Sequence, residues 1–542
     1  MTPKAGDKAG ARIFRGPPAP KLQHNSVGDF LLDGLRKHQD RIAAVDVTKG
    51  EAISYGDVLR ESIKLAEFLR LLGLKMGDRI CIFSENRLDW VLPMCATFYL
   101  GAVLVPINPA YTEGEARHIL SIAKPRIIFV SKKSEKVAQR TAQSFLWPLE
   151  IILLGEEDSS NDVPALRSVL RGVKNPPDPG SYKAVSIPNF EKCGTLLLSS
   201  SGTTGRPKCV QLSHRNVLTY LTISLLPEWV DIRENDKVFI FLPLFHGYGF
   251  SLLMGVLRAG ATAVLSTGFE PQKFLQTIQD HKVTHVPIVP PIMVFLAKSL
   301  IVTNYDLGSV REFICGAAPL SKDVHIQVWK RTGIWARNAY GLTEHWSAIC
   351  LCPRNVQKFE TAGILLPSAH CKIIDVETSK ILGPYQRGEL CVKGDLVMLG
   401  YYENPEATAA MIDQEGWMHT GDIGYYDDEE FIFIVDRLKE LIKYKGSQIA
   451  PAELEDVLLS HPEVKDAAVV GKPDEVAGEI PVAFVVLQPG SKISPNEIRR
   501  YVDGKVSSWK WLRGGVRLVN EIPKSPSGKI LRKELSKLVA HL

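Results

Sequence analysis

The chain has 542 residues, 45% of them apolar and 23% charged, close to the averages for soluble globular proteins. That excludes a disordered, collagenous or simple fibrous chain. Lys+Arg 65 against Asp+Glu 60 leaves a formal charge of only +5, too little to point to a nucleic-acid partner on charge alone.

At roughly 150 residues per domain the length suggests two to four domains, each large enough to bury a core. The nine cysteines are an odd number without a Cys-x-x-Cys pair, and Cys350-x-Cys352 is too tight for usual zinc spacing. There is no Asn-x-Ser/Thr acceptor, and the first twenty residues lack the apolar core of a signal peptide. A reducing compartment without export is expected.

Taken in chain order, residues 55–72 carry Val58, Leu59, Ile63, Leu65, Ala66 and Leu69 at helical spacing. Apolar strands are predicted at 79–83, 101–106 and 126–130. Residues 90–107 and 238–257 are uncharged and approach membrane-spanning length. Their internal prolines and glycines favour instead a buried helix and strand joined by a turn. Residues 156–192, rich in Asp, Pro, Ser and Gly, read as a surface connection to a strand at 195–198. Further strands are predicted at 238–242, 261–265 and 283–289. Buried strands alternating with helices imply α/β layers, and from about 371 the pattern turns more β-like. The predicted architecture is a large N-terminal region with two α/β subdomains and a β-rich subdomain over 1–436. A hinge at 437–439 follows, then a small α+β C-terminal domain over 440–542. Within it, Pro451 with Glu453 and Glu455 marks a helix start. Residues 510–542 hold Lys510, Arg513, Arg517, Lys524, Lys529, Arg532, Lys533 and Lys537 against Glu521 and Glu534. That run reads either as a solvated face or as a surface meeting phosphates.

The strongest local signal is Ser199-Ser200-Ser201-Gly202-Thr203-Thr204-Gly205-Arg206-Pro207-Lys208. A strand runs into a loop of hydroxyls and glycines ending in a lysine, a composition that offers backbone N–H groups and a cation to an anion. Pro207 and Cys209 stand where a Walker A loop wants Gly and Ser/Thr, so that loop type is excluded. Tyr340-Gly341-Leu342-Thr343-Glu344 combines a base-stacking ring with groups suited to phosphate and Mg²⁺. Gly416-Trp417-Met418-His419-Thr420-Gly421-Asp422 places a carboxylate after a turn, suited to ribose hydroxyls. Asp436-Arg437-Leu438-Lys439, Lys443-Tyr444-Lys445-Gly446 and Pro523-Lys524-Ser525-Pro526-Ser527-Gly528-Lys529 complete the set.

Together these motifs, in this order, resemble the adenylate-forming superfamily: acyl-CoA synthetases, beetle luciferases and the adenylation domains of nonribosomal peptide synthetases. The resemblance spans about Asp29 to Lys537 and is nearest to 4-coumarate–CoA-ligase-like and luciferase-like members. It implies that Ser199, Ser200, Ser201, Gly202, Thr203, Thr204, Gly205 and Lys208 hold the ATP β- and γ-phosphates. Gly316, Ala317, Ala318, Pro319, Tyr340 and Gly341 would line the adenine, and Thr343 would contact phosphate. Glu344 would coordinate Mg²⁺, and Asp422 with Arg437 would bind the ribose. His246, in Pro243-Leu244-Phe245-His246-Gly247, would lie between the acid and the α-phosphate. Lys529 would act in adenylation; Lys443, with Lys445, Gly446, Ser447 and Gln448, would serve thioester formation with coenzyme A. With these two lysines on one small domain, the resemblance implies that the domain rotates about 437–439 between the half-reactions.

The resemblance thus implies an ATP-, Mg²⁺- and CoA-dependent acid–CoA ligase. Its acid would be a medium- or long-chain fatty acid or an aryl-propenoic acid, in a pocket lined by His246, Tyr248, Gly249, Ile314, Gly316, Gly341, Ser347 and Ala348, with Tyr220 and Trp346 nearby. Two departures weigh against efficient luciferin oxidation. Tyr220 takes the place of the luciferin-contacting arginine of beetle luciferases, and Phe245 that of the first of two adjacent histidines. The alternatives are a luciferase-type monooxygenase acting on an adenylate, a stand-alone enzyme loading a carrier protein, and a degenerate nucleotide-binding protein. Neither nucleic acid nor an integral membrane segment is expected. Ala540-His541-Leu542 is similar to the Ser-Lys-Leu peroxisomal address, so a peroxisomal location through the import receptor is expected, with the cytoplasm as alternative.

Overall fold

The computed structural model describes residues 10–156, 163–200, 206–445, 447–526 and 528–540. Two sheets form the α/β part. In one, the strands Arg79–Phe83, Val103–Ile107, Ile127–Val130 and Glu150–Leu153 run parallel. This sheet continues through Gly194–Ser200 and Lys208–Ser213 to Gly400–Tyr401. In the other, Ile42–Asp46, Thr262–Leu265, Lys237–Ile240, His285–Ile288, Glu312–Cys315 and Ala336–Tyr340 run parallel. Most of these strands are buried along their length, which is why they read as apolar runs rather than as alternating patterns. The helices Val27–Lys37, Tyr55–Leu71, Val91–Tyr99 and Gly247–Ala259 contribute to one large apolar core that draws on both sheets.

The two uncharged runs resolve as expected. Residues 90–107 give the helix Val91–Tyr99 and the strand Val103–Ile107; residues 238–257 give a strand, a turn and the helix Gly247–Ala259. No helix among the described residues is long and apolar enough to cross a membrane. The expected surface connection at 156–192 is partly wrong. It contains the helix Leu166–Gly172, whose Leu166 and Leu170 are buried; its short apolar spacing is masked by flanking Pro and Asp.

The β-rich subdomain is an antiparallel sheet in the order Phe14–Arg15, His370–Ile374, Gly388–Lys393, Met418–Tyr426, Ile432–Arg437. Its first strand comes from the far N-terminus, which no local pattern shows. The C-terminal sheet pairs Ser447–Ile449, Ile442–Tyr444, Gly478–Leu487 and Val464–Asp474, with Val516–Leu518 parallel to Gly478–Leu487. The helices Pro451–Leu459, Pro495–Asp503 and Arg532–Ala540 cover it. Three members of the basic run are internally paired. Lys524 meets Asp466 at 2.5 Å, and Arg532 meets Glu440 at 3.0 Å and Glu455 at 2.7 Å. Lys510 meets Glu453.

One buried side chain ties the two α/β sheets together at the edge where the site forms. Asn86, in the loop after Arg79–Phe83, donates to the carbonyls of Ile240 (3.3 Å), Leu242 (2.9 Å) and Ser266 (3.1 Å). It also accepts the Leu244 N–H at 2.9 Å. The Asn86→Ala variant strands these buried groups and should lose on the order of 3 kcal/mol, read as a lower urea midpoint by tryptophan fluorescence.

Candidate active site

Parallel strands place their carboxyl ends on one edge, and open α/β sheets bind ligands there. At this edge Lys237–Ile240 leads to Pro243 and His246, and Glu312–Cys315 leads to Gly316, Ala317, Ala318 and Pro319. Ala336–Tyr340 leads to Gly341, Thr343 and Glu344. Gly316 is buried, whereas the three residues after it are exposed, and Ala317 holds φ +75, a conformation costly for a residue with a Cβ. Gly341 has a steric reason to be glycine: a Cβ there would lie 1.7 Å from the Ser347 carbonyl oxygen. Trp346 and Ser347 both hold left-handed backbone, at φ +41 and +77, which turns Ser347 and Ala348 back against Gly341.

The strands Gly194–Ser200 and Lys208–Ser213 form a hairpin with Ser200 opposite Lys208. Ser201, Gly202, Thr203, Thr204 and Gly205 lie outside the described residues, as does Gly446. The hairpin ends converge on Glu344. Ser200 Oγ and Tyr401 OH donate to its Oε1 at 2.6 and 2.9 Å. Lys208 Nζ lies 4.5 Å from the Tyr401 ring centroid, and Tyr111 OH donates to Ser199 Oγ at 3.3 Å. Tyr401 reaches this point because Gly400–Tyr401 adds antiparallel to Lys208–Ser213.

Asp422 is 3% exposed. Tyr340 OH donates to its Oδ2 at 2.6 Å, and Arg437 Nε lies 3.2 Å from Oδ1. Burial raises the Asp422 pKa, while Arg437, Tyr340 and Lys529 act to lower it. Tyr340 and Asp422, assigned separately to adenine and ribose, are therefore one hydrogen-bonded unit. Its neighbour strand supplies a support that the sequence did not suggest. Glu389 Oε1 accepts the Gly421 N–H at 3.0 Å, and His419 Nδ1 meets Glu389 Oε2 at 3.0 Å and Cys391 Sγ at 3.6 Å. These contacts fix the turn from which Asp422 projects.

Lys529 is half-buried. Burial and then Arg437 push its pKa down, opposed by Glu440 and Asp422. His246 directly precedes the helix Gly247–Ala259, without a side-chain capping bond to it. Burial and then Lys529 lower its pKa, with Glu344 opposing, so its imidazole is neutral near pH 7. Lys529, His246, Glu344, Asp422 and Arg437 thus share one electrostatic neighbourhood although they are far apart in sequence. By contrast, Lys443 is exposed on the hairpin of Ile442–Tyr444 and Ser447–Ile449, with its N–H donating to Glu479 at 2.8 Å. Lys445 and Gln448 are exposed on the same hairpin. The structure does not bring this set to the Asp422 group.

On the other side of His246, Tyr248 OH donates to the Ile314 carbonyl at 2.7 Å. Ser251 and Ser347 hydroxyls meet at 3.4 Å, and the buried Tyr220 packs beside this wall. Edge-on rings, Tyr220–Trp346 at 6.2 Å and Phe250–Trp346 at 5.9 Å, back this wall. The segment carrying Tyr220 is fixed by a capping box of Ser213 and Asn216. That is the structural use of Ser213-His214-Arg215-Asn216.

The family model for AMP-binding enzymes matches residues 33–402, and that for the AMP-binding enzyme C-terminal domain matches 453–529. The chain belongs to the AMP-binding enzyme family. Over 98% of its length it is 42% identical to a luciferin 4-monooxygenase of Nipponoluciola cruciata, covering 98% of that protein. It is 39% identical to 4-coumarate–CoA ligase 5 of Oryza sativa subsp. japonica, with 97% and 98% covered. Among solved structures it resembles ATP-bound MatB from Rhodopseudomonas palustris at TM-score 0.85 and 26% identity, with 96% of this chain and 99% of that chain covered. These relatives, luciferases and CoA ligases alike, establish the fold class and an adenylate-forming enzyme. Of the residues that hold Glu344, Ser200 stands in the hydroxyl-rich motif, whereas Tyr401 carries no local sequence signal, because its role arises from strand pairing. Tyr340→Phe, which deletes only the donor to Asp422, should raise the KM for ATP about tenfold with little change in kcat, measured by steady-state pyrophosphate release.

Proposed function

We propose that the protein is an acid–CoA ligase that adenylates an apolar carboxylic acid, a fatty or aryl-propenoic acid, and transfers the acyl group to coenzyme A. The observation that carries this reading is the presence of Lys529, from the C-terminal region, among His246, Asp422 and Arg437. A carboxylate is a weak nucleophile repelled by ATP, so the first half-reaction needs cations and positioning at the α-phosphate. Lys529 supplies the charge there, Lys208 supplies it to the outer phosphates, and Asp422 with Arg437 binds the ribose hydroxyls. Neutral His246 sits at the amino end of a thirteen-residue helix, where the helix dipole favours the acid's negative charge without an added proton. Thr343 contacts phosphate. The carboxylate attacks the α-phosphorus, pyrophosphate leaves, and the CoA thiolate then attacks the acyl carbon and expels AMP.

Glu344 with the Ser200 hydroxyl is an oxygen donor set, the chemistry Mg²⁺ selects. These are the residues that would hold the ion, which when bound neutralises phosphate charge. The ring-backed wall formed by Tyr220, Tyr248, Trp346, Ser347 and Ala348 supports an apolar or aromatic acid. Lys443, Lys445, Gly446 and Gln448 serve the second half-reaction after rotation about 437–439. A luciferase-type second step is the competing reading, favoured by the 42% identity to a luciferin 4-monooxygenase.

A panel of fatty acids, 4-coumarate, cinnamate and luciferin, with and without CoA, decides between them. Acid-dependent acyl-CoA formation supports the ligase, and light with luciferin and no thioester overturns it. Lys529→Ala should lose about 10²–10³ in adenylation and retain thioester formation from supplied acyl-AMP; Lys443→Ala should do the converse, by single-turnover assay. The pH profile follows from the Lys529 shift. Adenylation requires the ammonium, so it should fall as pH rises through a value below the ordinary lysine 10.5, and Lys529→Ala should abolish that limb.

A further inference from the structure

The helix Pro290–Lys298 touches the C-terminal region at both of its ends. At its start, Val289 lies against the Lys529 loop: Gly528 holds φ +81, and a Cβ there would stand 3.0 Å from Val289 Cγ2. At its end, Lys298 Nζ donates to the carbonyls of Leu459 (2.8 Å), His461 (3.2 Å) and Val464 (2.5 Å). These carbonyls close the helix Pro451–Leu459 and the turn into Val464–Asp474. An ammonium has three N–H donors, and the end of a helix leaves carbonyls without intrahelical partners. Its three donors meet three carbonyls, of which Leu459 lies at the carboxyl end of the helix, where the dipole is negative, and His461 also accepts the Val464 N–H at 3.2 Å. Behind it, Arg331 donates to the carbonyls of Leu296 and Ala297 at 3.2 and 2.8 Å, holding the segment that presents Lys298. Burial pushes the Lys298 pKa down to about 8; the water it has given up is replaced by carbonyls of the other region.

We propose that Lys298 is a positioning residue for adenylation, a latch that holds the C-terminal region over the site with Lys529 in place. The inference rests on the ligase reading for its kinetic consequence. Any rotation that removes Lys529 must break all three charge-assisted hydrogen bonds together, while the backbone carbonyls regain water. Lys298 touches no reacting atom; it acts through the placement of Lys529.

The test compares the full-length protein with Lys298→Met, which keeps the apolar stem and deletes the donors. Acid-dependent ATP–pyrophosphate exchange should fall about tenfold, whereas thioester formation from supplied acyl-AMP should stay within twofold of the parent. Small-angle scattering with ATP present should show a larger radius of gyration for the variant. Lys298→Gln, which keeps donors without the charge, should fall between the two and carries the test if the Met variant does not fold. Equal losses in both half-reactions would identify a merely structural lysine, and unchanged exchange with superimposable scattering would overturn the latch. Should the parent protein show no acid-dependent exchange, the ligase reading fails while the scattering comparison still decides the latch.

Discussion

The structure depends on a carboxylate held out of water. Asp422 is nearly inaccessible, and an ionised carboxyl in that position is tolerable only with strong partners. Those partners come from three parts of the chain: Tyr340 at the end of a parallel strand, Arg437 at the end of the β-rich sheet, and Lys529 from the C-terminal region. The same charges that make Asp422 affordable raise the cost of Lys529, whose pKa burial and Arg437 depress. The site is therefore a balance of buried opposite charges, and a nucleotide entering it would meet groups already oriented by one another.

The site is arranged in layers of support. Glu344 is oriented by Ser200 and Tyr401, and Asp422 projects from a turn held by Glu389 and His419. Asn86 joins the loop carrying His246 to the neighbouring sheet. None of these supports needs to touch a substrate. They convert flexible loops at a sheet edge into fixed donors and acceptors, which is what electrostatic catalysis requires. The C-terminal region is joined differently. Asp436, just before the 437–439 segment, accepts the Ala452 N–H at 3.0 Å, and Lys298 reaches across to a helix end. These are polar, directional contacts that can be broken and remade as a set, unlike the apolar core that fuses the two α/β sheets.

The sequence by itself determined the alternation of buried strands and helices, because apolar runs of strand length and glycine turns are local properties. It also determined the identity of the chemical groups: hydroxyls, glycines and lysine at 199–208, Glu344, Asp422 and Lys529 stand in motifs whose residue types suit phosphate, ribose and cation roles. It could not reveal that Tyr401 and Ser200 share one carboxylate oxygen, since that follows from strand pairing across nearly two hundred residues. Nor could it tell which of the basic tail's residues, Lys510, Lys524 and Arg532, form internal ion pairs and that Lys529 faces the site, because charge composition is the same in either case. The place of Phe14–Arg15 in the β-rich sheet, the support of Asp422 by Glu389, and the meeting of Lys298 with a distant helix end were decided only by tertiary structure. Each depends on a hydrogen-bonding partner far away in the chain, and a one-dimensional pattern carries residue type and spacing but not which distant partner a polar group will find.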